Sequence, residues 1–323
     1  LNLPFPLAMS FFTFQTIAFL IDCYDEEIKN YSLKEYSLFI IFFPQLIAGP
    51  IVNFNNIMPQ FNSNQNKSIN LNNILLGLTI VLIGLFKKVI IADNLSINVD
   101  SGFENYSQIN FIESWITSIS YTFQLYFDFS AYIDMATGSA LLFNILLPKN
   151  FDSPFKAYSL INFWKRWHIT LFNFLMNYIY FPILRSLKNI NFVNAMIVTL
   201  IVFIISGLWH GPSWGYIIFG TMHGIGLITN HIFNKISSLK VNRFLGWLLT
   251  IVLIIGTRLM ANSFFSKEIA SSRVIIYGAG SAGIQLASAL NFSKELNPIA
   301  FVDNDISLQG TSVAGLKVIS PNK

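Results

Sequence analysis

"FIISGLWHGPSWGYIIFG" (Phe203–Gly220) decides how the rest of the chain is read. It is apolar enough for lipid, yet it holds a histidine, His210, next to a Gly-Pro pair. Gly211-Pro212 favours a break, because proline removes a backbone donor and clashes with the preceding helical turn. A broken helix exposes backbone groups. At membrane depth such groups persist only where protein or a water-filled cavity shields them. The stretch therefore reads as two apolar helices meeting at a protein-lined polar site.

The surrounding composition agrees. The chain of 323 residues is 53% hydrophobic, 15% aromatic and 11% charged. Its mean hydropathy is +0.55. A soluble domain carries about 25% charged residues, so the expected fold is mainly α, a polytopic transmembrane bundle in the lipid bilayer. A span needs about 20 mostly apolar residues. Candidates are Leu3–Ile21, Tyr36–Ile51, Ile74–Ile91, Phe111–Phe127, Tyr132–Leu147, Phe192–Leu208, Trp214–Phe233 and Phe244–Phe265. Pro44, Gly49 and Pro50 mark one segment as re-entrant. Asn62–Asn73 and Asp93–Asn110 read as polar loops. Lys149–His168 interleaves charge with tryptophan and suits the membrane interface.

Lys87, Lys88, Lys165, Arg166, Arg185 and Lys188 flank apolar spans and mark cytoplasmic ends under the positive-inside rule. The net charge of +4 fits such loops and does not point to nucleic acid. The single cysteine, Cys23, excludes an internal disulfide framework and a multi-cysteine metal site. The chain opens on Leu1 with no charged leader, so it reads as a piece of something longer.

From Asn189 to Asn234 there is no Asp, Glu, Lys or Arg, but there are three of the four histidines. Imidazole is the one general base available there, able to take and return a proton near neutral pH. His210 at the helix break is the strongest candidate. His223 fits packing better, and His231 fits an interfacial position near Lys235. No histidine pair has the i,i+3 or i,i+4 spacing of helical metal ligands, so no metal site is expected. Asp128 and Asp134 in "YFDFSAYIDMATG" lie six residues apart. That is about 600° of helical rotation, so they do not share a face. They read as packing anchors, bonded through Ser130, Tyr132 and backbone amides, or as the lining of a polar funnel. A nucleophilic Ser206 or Ser213 is conceivable but carries little information.

Three longer stretches carry a resemblance: "PQLIAGPIVNFNNIMPQF" (Pro44–Phe61), "YFDFSAYIDMATGSALLFNILLPKNFDSPFKAYSLINFWKRWHITLFNFLMNYIYFPI" (Tyr126–Ile183) and "LWHGPSWGYIIFGTMHGIG" (Leu208–Gly226). In this order they resemble the membrane-bound O-acyltransferase (MBOAT) family, in its alginate O-acetylase branch, over residues 1 to about 251. The resemblance implies a multi-pass enzyme of the bacterial inner membrane with a funnel through the bilayer. Two histidines lie at its centre: His168 in "RWHIT" and His210 in "LWHG", the latter implicated most strongly in acyl transfer. Trp164, Arg166, Trp167, Trp209, Asp128 and Asp134 are funnel candidates, although interface anchoring is the stronger reading of Trp164, Arg166 and Trp167. The implied donor is acetyl-CoA or another acyl thioester, with no tightly bound cofactor. The implied acceptor is a cell-envelope polysaccharide, served by a periplasmic acyltransferase partner. Relative to the family, the first roughly hundred residues and the last helices are missing.

The composition changes near residue 266. A strand (Val274–Tyr277), "GAGSAG", a helical stretch (Ala282–Leu290) and a strand (Ile299–Val302) ending in Asp303 follow. Gly278, Gly280 and Gly283 have G-x-G-x-x-G spacing, with Asp303 about 20 residues beyond, which is the context of a dinucleotide fingerprint. From about Ile254 the chain resembles CapD-type polysaccharide biosynthesis proteins, relatives of nucleotide-sugar 4,6-dehydratases. That implies NAD(P) or a nucleotide at the tail and offers a second reading of the whole chain. The expected division is 1–253 for the membrane core, 254–266 for the junction and 267–323 for a partial Rossmann-like domain. Two strands and one helix are too few to close a Rossmann core, so poor order is expected, and the junction suggests a fused or misassembled reading frame. A transporter should show internal symmetry, and no repeat is visible.

Overall fold

The computed structural model describes residues 9–46, 49–105, 109–211, 213–237, 241–268, 272–291, 296–305 and 307–321. Pro212 and residues 1–8, on which parts of the sequence reading fall, lie outside them. The chain divides into two compact units, Leu1–Ala261 and Asn262–Lys323.

The first unit is helical: α1 (Met9–Tyr24), α2 (Leu33–Ile41), α3 (Phe43–Leu46), α4 (Phe54–Asn62), α5 (Leu71–Phe86), α6 (Asp93–Glu104), α7 (Phe111–Leu141), α8 (Leu160–Trp164), α9 (Ile169–Leu175), α10 (Phe181–Ser186), α11 (Phe192–His210), α12 (Trp214–Ile236) and α13 (Arg243–Glu268). Several starts are capped as their sequence dictates. Asn110 and Ser32 each form a reciprocal capping box, with Glu113 and Glu35.

Three sequence expectations are corrected here. Asp93–Glu104, expected as part of a loop, is helical: a π-helical turn, Lys87–Ala92, joins α5 to α6 in one helical run, Leu71–Glu104. Lys87 and Lys88 therefore do not end a helix. They lie mid-helix and pair with α7, Lys87 with Asp134 at 2.5 Å and Lys88 with Asp128 at 2.7 Å. The spans expected at 111–127 and 132–147 are one helix, because Asp128, neutralised by Lys88, does not interrupt it.

Helix pairs approach through glycine, as membrane helices do when side-chain bulk would hold them apart. On α5 and α7, a Cβ at Gly77 would sit 2.7 Å from the Gly138 carbonyl oxygen. On α11 and α12, a Cβ at Gly207 would collide with the Tyr216 carbonyl, and one at Gly220 with that of Phe203. The outer face of α5 stays apolar and exposed, with Leu75 at 65% and Leu82 at 64%. Among the described residues, Leu71–Glu104 and Phe192–His210 are long and apolar enough to cross a membrane.

The segment 149–168 packs into the protein. Phe163 and Trp167 are buried in one cluster with Leu160, Phe203 and Ile254. Its folds are closed by its own polar groups: Arg166 donates to the Asp152 carbonyl at 3.0 Å and to Asn162 Oδ1 at 3.0 Å. Pro44, Gln45, Gly49, Pro50, Ile51 and Val52 are likewise buried, and Gln45 donates to the Phe39 carbonyl at 2.6 Å.

The second unit contains β1 (Ser272–Tyr277), α14 (Ser281–Asn291), β2 (Leu296–Val302), β3 (Ser312–Val313) and β4 (Leu316–Ile319). The sheet order is β1-β2-β4-β3, with β1 and β4 parallel to β2 and β3 antiparallel to β4. Ala314 and Gly315, both at positive φ, form the two-residue turn between β3 and β4. Ile276, Ala287, Phe301 and Val318 make a core. The tail is thus an ordered four-stranded sheet, not the loose two-strand fragment expected, because the hairpin after Asp303 supplies the missing edge.

Candidate functional site

Three stretches distant in sequence meet at His168. Its backbone is left-handed, φ 46° and ψ 54°, at the N-terminus of α9. For a non-glycine residue that conformation costs of order 1–3 kcal/mol and needs support from its surroundings. Asn150 supplies it at the two residues that follow the strained one. Its carbonyl accepts from Ile169 N–H at 2.9 Å, and its Oδ1 accepts from Thr170 N–H at 3.1 Å. The same Oδ1 lies 3.0 Å from Thr170 Oγ1 and 3.1 Å from His168 Nδ1. Thr170 Oγ1 in turn accepts from Ile51 N–H at 3.1 Å, which ties the Pro44–Val52 break to the centre. His168 is 5% exposed, and Phe129 of α7 meets its ring edge-on at 4.8 Å. Its Nε2 is buried and has no hydrogen-bond partner among the described residues.

His210 is placed differently. It is the last residue of α11, exposed, and the helix stops at Gly211, whose φ of 155° few side chains tolerate. Its ring packs at 4.7 Å from Trp209 and stacks on Tyr216 at 5.9 Å. Trp209 lies between the histidines, 6.4 Å from His168. An apolar cavity of about 270 Å³ borders Trp209, lined by Phe14, Leu171, Leu175, Ile205 and Ser206.

The other candidates have other neighbours. Trp164 packs perpendicular to His223 at 5.2 Å, with its indole N–H buried and unbonded. His223 lies 3.3 Å from Thr257 Oγ1, in keeping with packing. Trp167 stacks on Phe163 at 5.6 Å. Ser213 caps α12 by accepting from Gly215 N–H at 3.2 Å. Asp128 pairs with Lys88 and Asp134 with Lys87. Asn150 and Thr170 were not legible as site residues, because asparagine and threonine are common in this chain and neither stands in a charged pattern.

In the second unit Gly278 turns at φ 98°, a Cβ at Gly280 would meet nothing, and one at Gly283 would collide with the Gly278 carbonyl. Asp303 does not stand free: its Oδ2 accepts from Ala279 N–H at 2.6 Å. This bond and one from Asp305 N–H hold its carboxyl below the ordinary range.

A helical body with an exposed apolar face on α5 and helix pairs packed through glycine defines the class of helical membrane proteins. The chain belongs to the membrane-bound O-acyltransferase family, whose model matches residues 5–267. It is 41% identical to the peptidoglycan O-acetyltransferase of Helicobacter pylori, over 96% of this chain and 63% of that protein. It is 33% identical to a probable alginate O-acetylase of Pseudomonas aeruginosa, over 77% of this chain and 47% of the relative. A teichoic acid D-alanyltransferase of Streptococcus thermophilus is 29% identical over 69% of this chain and 56% of its own. The chain thus spans about half to two thirds of the length of these relatives.

These matches also bear on the tail. The family match runs past Ile254 to residue 267, and the Helicobacter alignment omits too little of the chain to stop short of the second unit. The likeness to CapD-type proteins and the second, dehydratase reading of the chain gain no support from them.

Proposed function

We propose that the chain is the acyl-transfer core of a multi-pass bacterial inner-membrane O-acyltransferase, which moves an acetyl group from acetyl-CoA or a similar thioester toward hydroxyls of a cell-envelope polysaccharide. The observation that carries this is the convergence of His168, Trp209 and His210 in a chain belonging to this family. Acetyl is favoured over alanyl because the relatives of higher identity are named for O-acetyl transfer.

His210 acts as the base. It takes the proton of the attacking hydroxyl as that oxygen bonds to the thioester carbonyl carbon. The carbon–sulfur bond then breaks, and the leaving thiolate takes the proton back from the imidazolium. The apolar wall by Trp209 excludes water, which would otherwise compete for the acyl group. A periplasmic partner protein receives the product or completes the transfer. The test is His210→Ala in the full-length protein, with ester-linked acetyl on purified envelope polysaccharide measured by mass spectrometry. Unchanged acetylation would reject the reading.

The glycine geometry at Gly278, Gly280 and Gly283 supports a second, separate role, nucleotide binding by the tail. It requires Asp303 to release Ala279 N–H. Titration of the full chain with NAD, followed by the Ala279 amide resonance, decides it: an unmoved resonance at saturating NAD excludes the site.

A further inference from the structure

We propose that Asn150 is a positioning residue that, with Thr170, fixes His168 as the Nδ1–H tautomer and leaves Nε2 as a bare hydrogen-bond acceptor inside the site. The argument starts from groups whose roles admit no choice. The backbone N–H of Thr170 can only donate, so the Asn150 atom 3.1 Å from it must be the carbonyl oxygen and not the amide nitrogen. The N–H of Ile51 can only donate as well, so Thr170 Oγ1 accepts from it and turns its own proton toward Asn150 Oδ1, 3.0 Å away. With Oδ1 fixed as an acceptor on two counts, His168 Nδ1 at 3.1 Å must present a proton to it. A neutral imidazole carries one N–H, so Nε2 holds the lone pair.

Two features show that this wiring serves something other than packing. Asn150 is 1% exposed, yet its Nδ2 is buried without a partner among the described residues, as is His168 Nε2. Buried polar atoms left unbonded each carry a cost, and at functional sites they mark groups waiting for a ligand. The backbone of His168 is also held in a left-handed conformation by bonds from Asn150 to the next two residues, and Phe129 limits ring rotation. The orientation of the ring is therefore set before substrate arrives. An Nε2 lone pair can receive the hydroxyl of an acceptor sugar. The tautomer assignment stands on geometry alone, and its use in turnover rests on the acyl-transfer reading above.

The full chain, labelled with ¹⁵N-histidine and held in lipid nanodiscs above neutral pH, tests the assignment directly. It has four histidines, and His168→Gln identifies the His168 signals by their loss. The expected spectrum shows protonated Nδ1 and bare Nε2, and a protonated Nε2 overturns the proposal. Asn150→Leu removes the acceptor at similar volume and should lower kcat on the order of 10²-fold with KM for the donor unchanged. Asn150→Asp keeps an acceptor in place and should restore most of that rate. Wild-type turnover in Asn150→Leu, or no rescue by Asn150→Asp in a folded protein, would overturn the positioning role. The spectral arm stands even if His210→Ala shows that the chain does not transfer acyl groups, so the two failures are distinguishable.

Discussion

His168 and His210 sit a tryptophan apart and are held in opposite ways. His168 is buried, backbone-strained and wired through Asn150 and Thr170 to the chain break at Ile51. His210 ends a helix, is exposed, and is bounded by aromatic faces. One ring is fixed in direction by bonds that form on folding. The other has room to change protonation and partner. The difference separates two demands that a single residue meets poorly: an oriented acceptor and a base that moves protons.

The sharpest way to break this contrast is His210→Ala. Loss of a general base should lower transfer about 10²–10⁴-fold, while thermal unfolding of the purified protein stays close to wild type because the side chain is exposed. A large drop in melting temperature would show that His210 is structural after all. His168→Ala should do both things. It leaves a cavity and strips a partner from a buried network, so unfolding should become easier by ~2–3 kcal/mol, with turnover falling in the fraction that folds. A variant of wild-type stability would mean that the wiring is slack.

Lys87→Met offers a control away from both histidines. It leaves Asp134 unpaired at a half-buried position, and the expected cost of about 1–2 kcal/mol lies between values for exposed and buried pairs. Adding Asp134→Leu should recover most of it, and a double variant worse than the single would refute the pairing. The smallest effect belongs to Asp303. Its carboxyl is held below the ordinary value of 3.8 by backbone N–H groups. Its stabilising contribution is therefore complete above that value and is lost as pH falls through the lower folded-state value. In Asp303→Asn, protection of the Ala279 amide against hydrogen exchange should lose this acid dependence. An acid profile identical to wild type would remove Asp303 from the account of the loop.

Much of the helical content of the first unit was legible because apolar runs of helical length announce themselves. The break after His210 was legible from Gly211-Pro212. Asp93–Glu104 was missed because its polar residues suggest a loop, whereas a π turn carries the helix onward. Lys87 and Lys88 were misread for a related reason. A charge beside an apolar run looks like a helix end until its counter-charge, Asp134 or Asp128, is found on another helix. Trp167 looked interfacial by composition and is in fact buried.

By itself the sequence determined the helical class, the apolar body and the break after His210, since these follow from local chemistry: hydropathy, backbone freedom and the scarcity of titratable groups; His168 came forward only through its resemblance to a family motif. Only the tertiary structure decided which histidine is fixed and which is free, because Asn150, Thr170 and Ile51 reach His168 through hydrogen bonds that span up to 119 positions of the chain. No local pattern encodes a partner that far away. The strain at His168 persists because those bonds offset it.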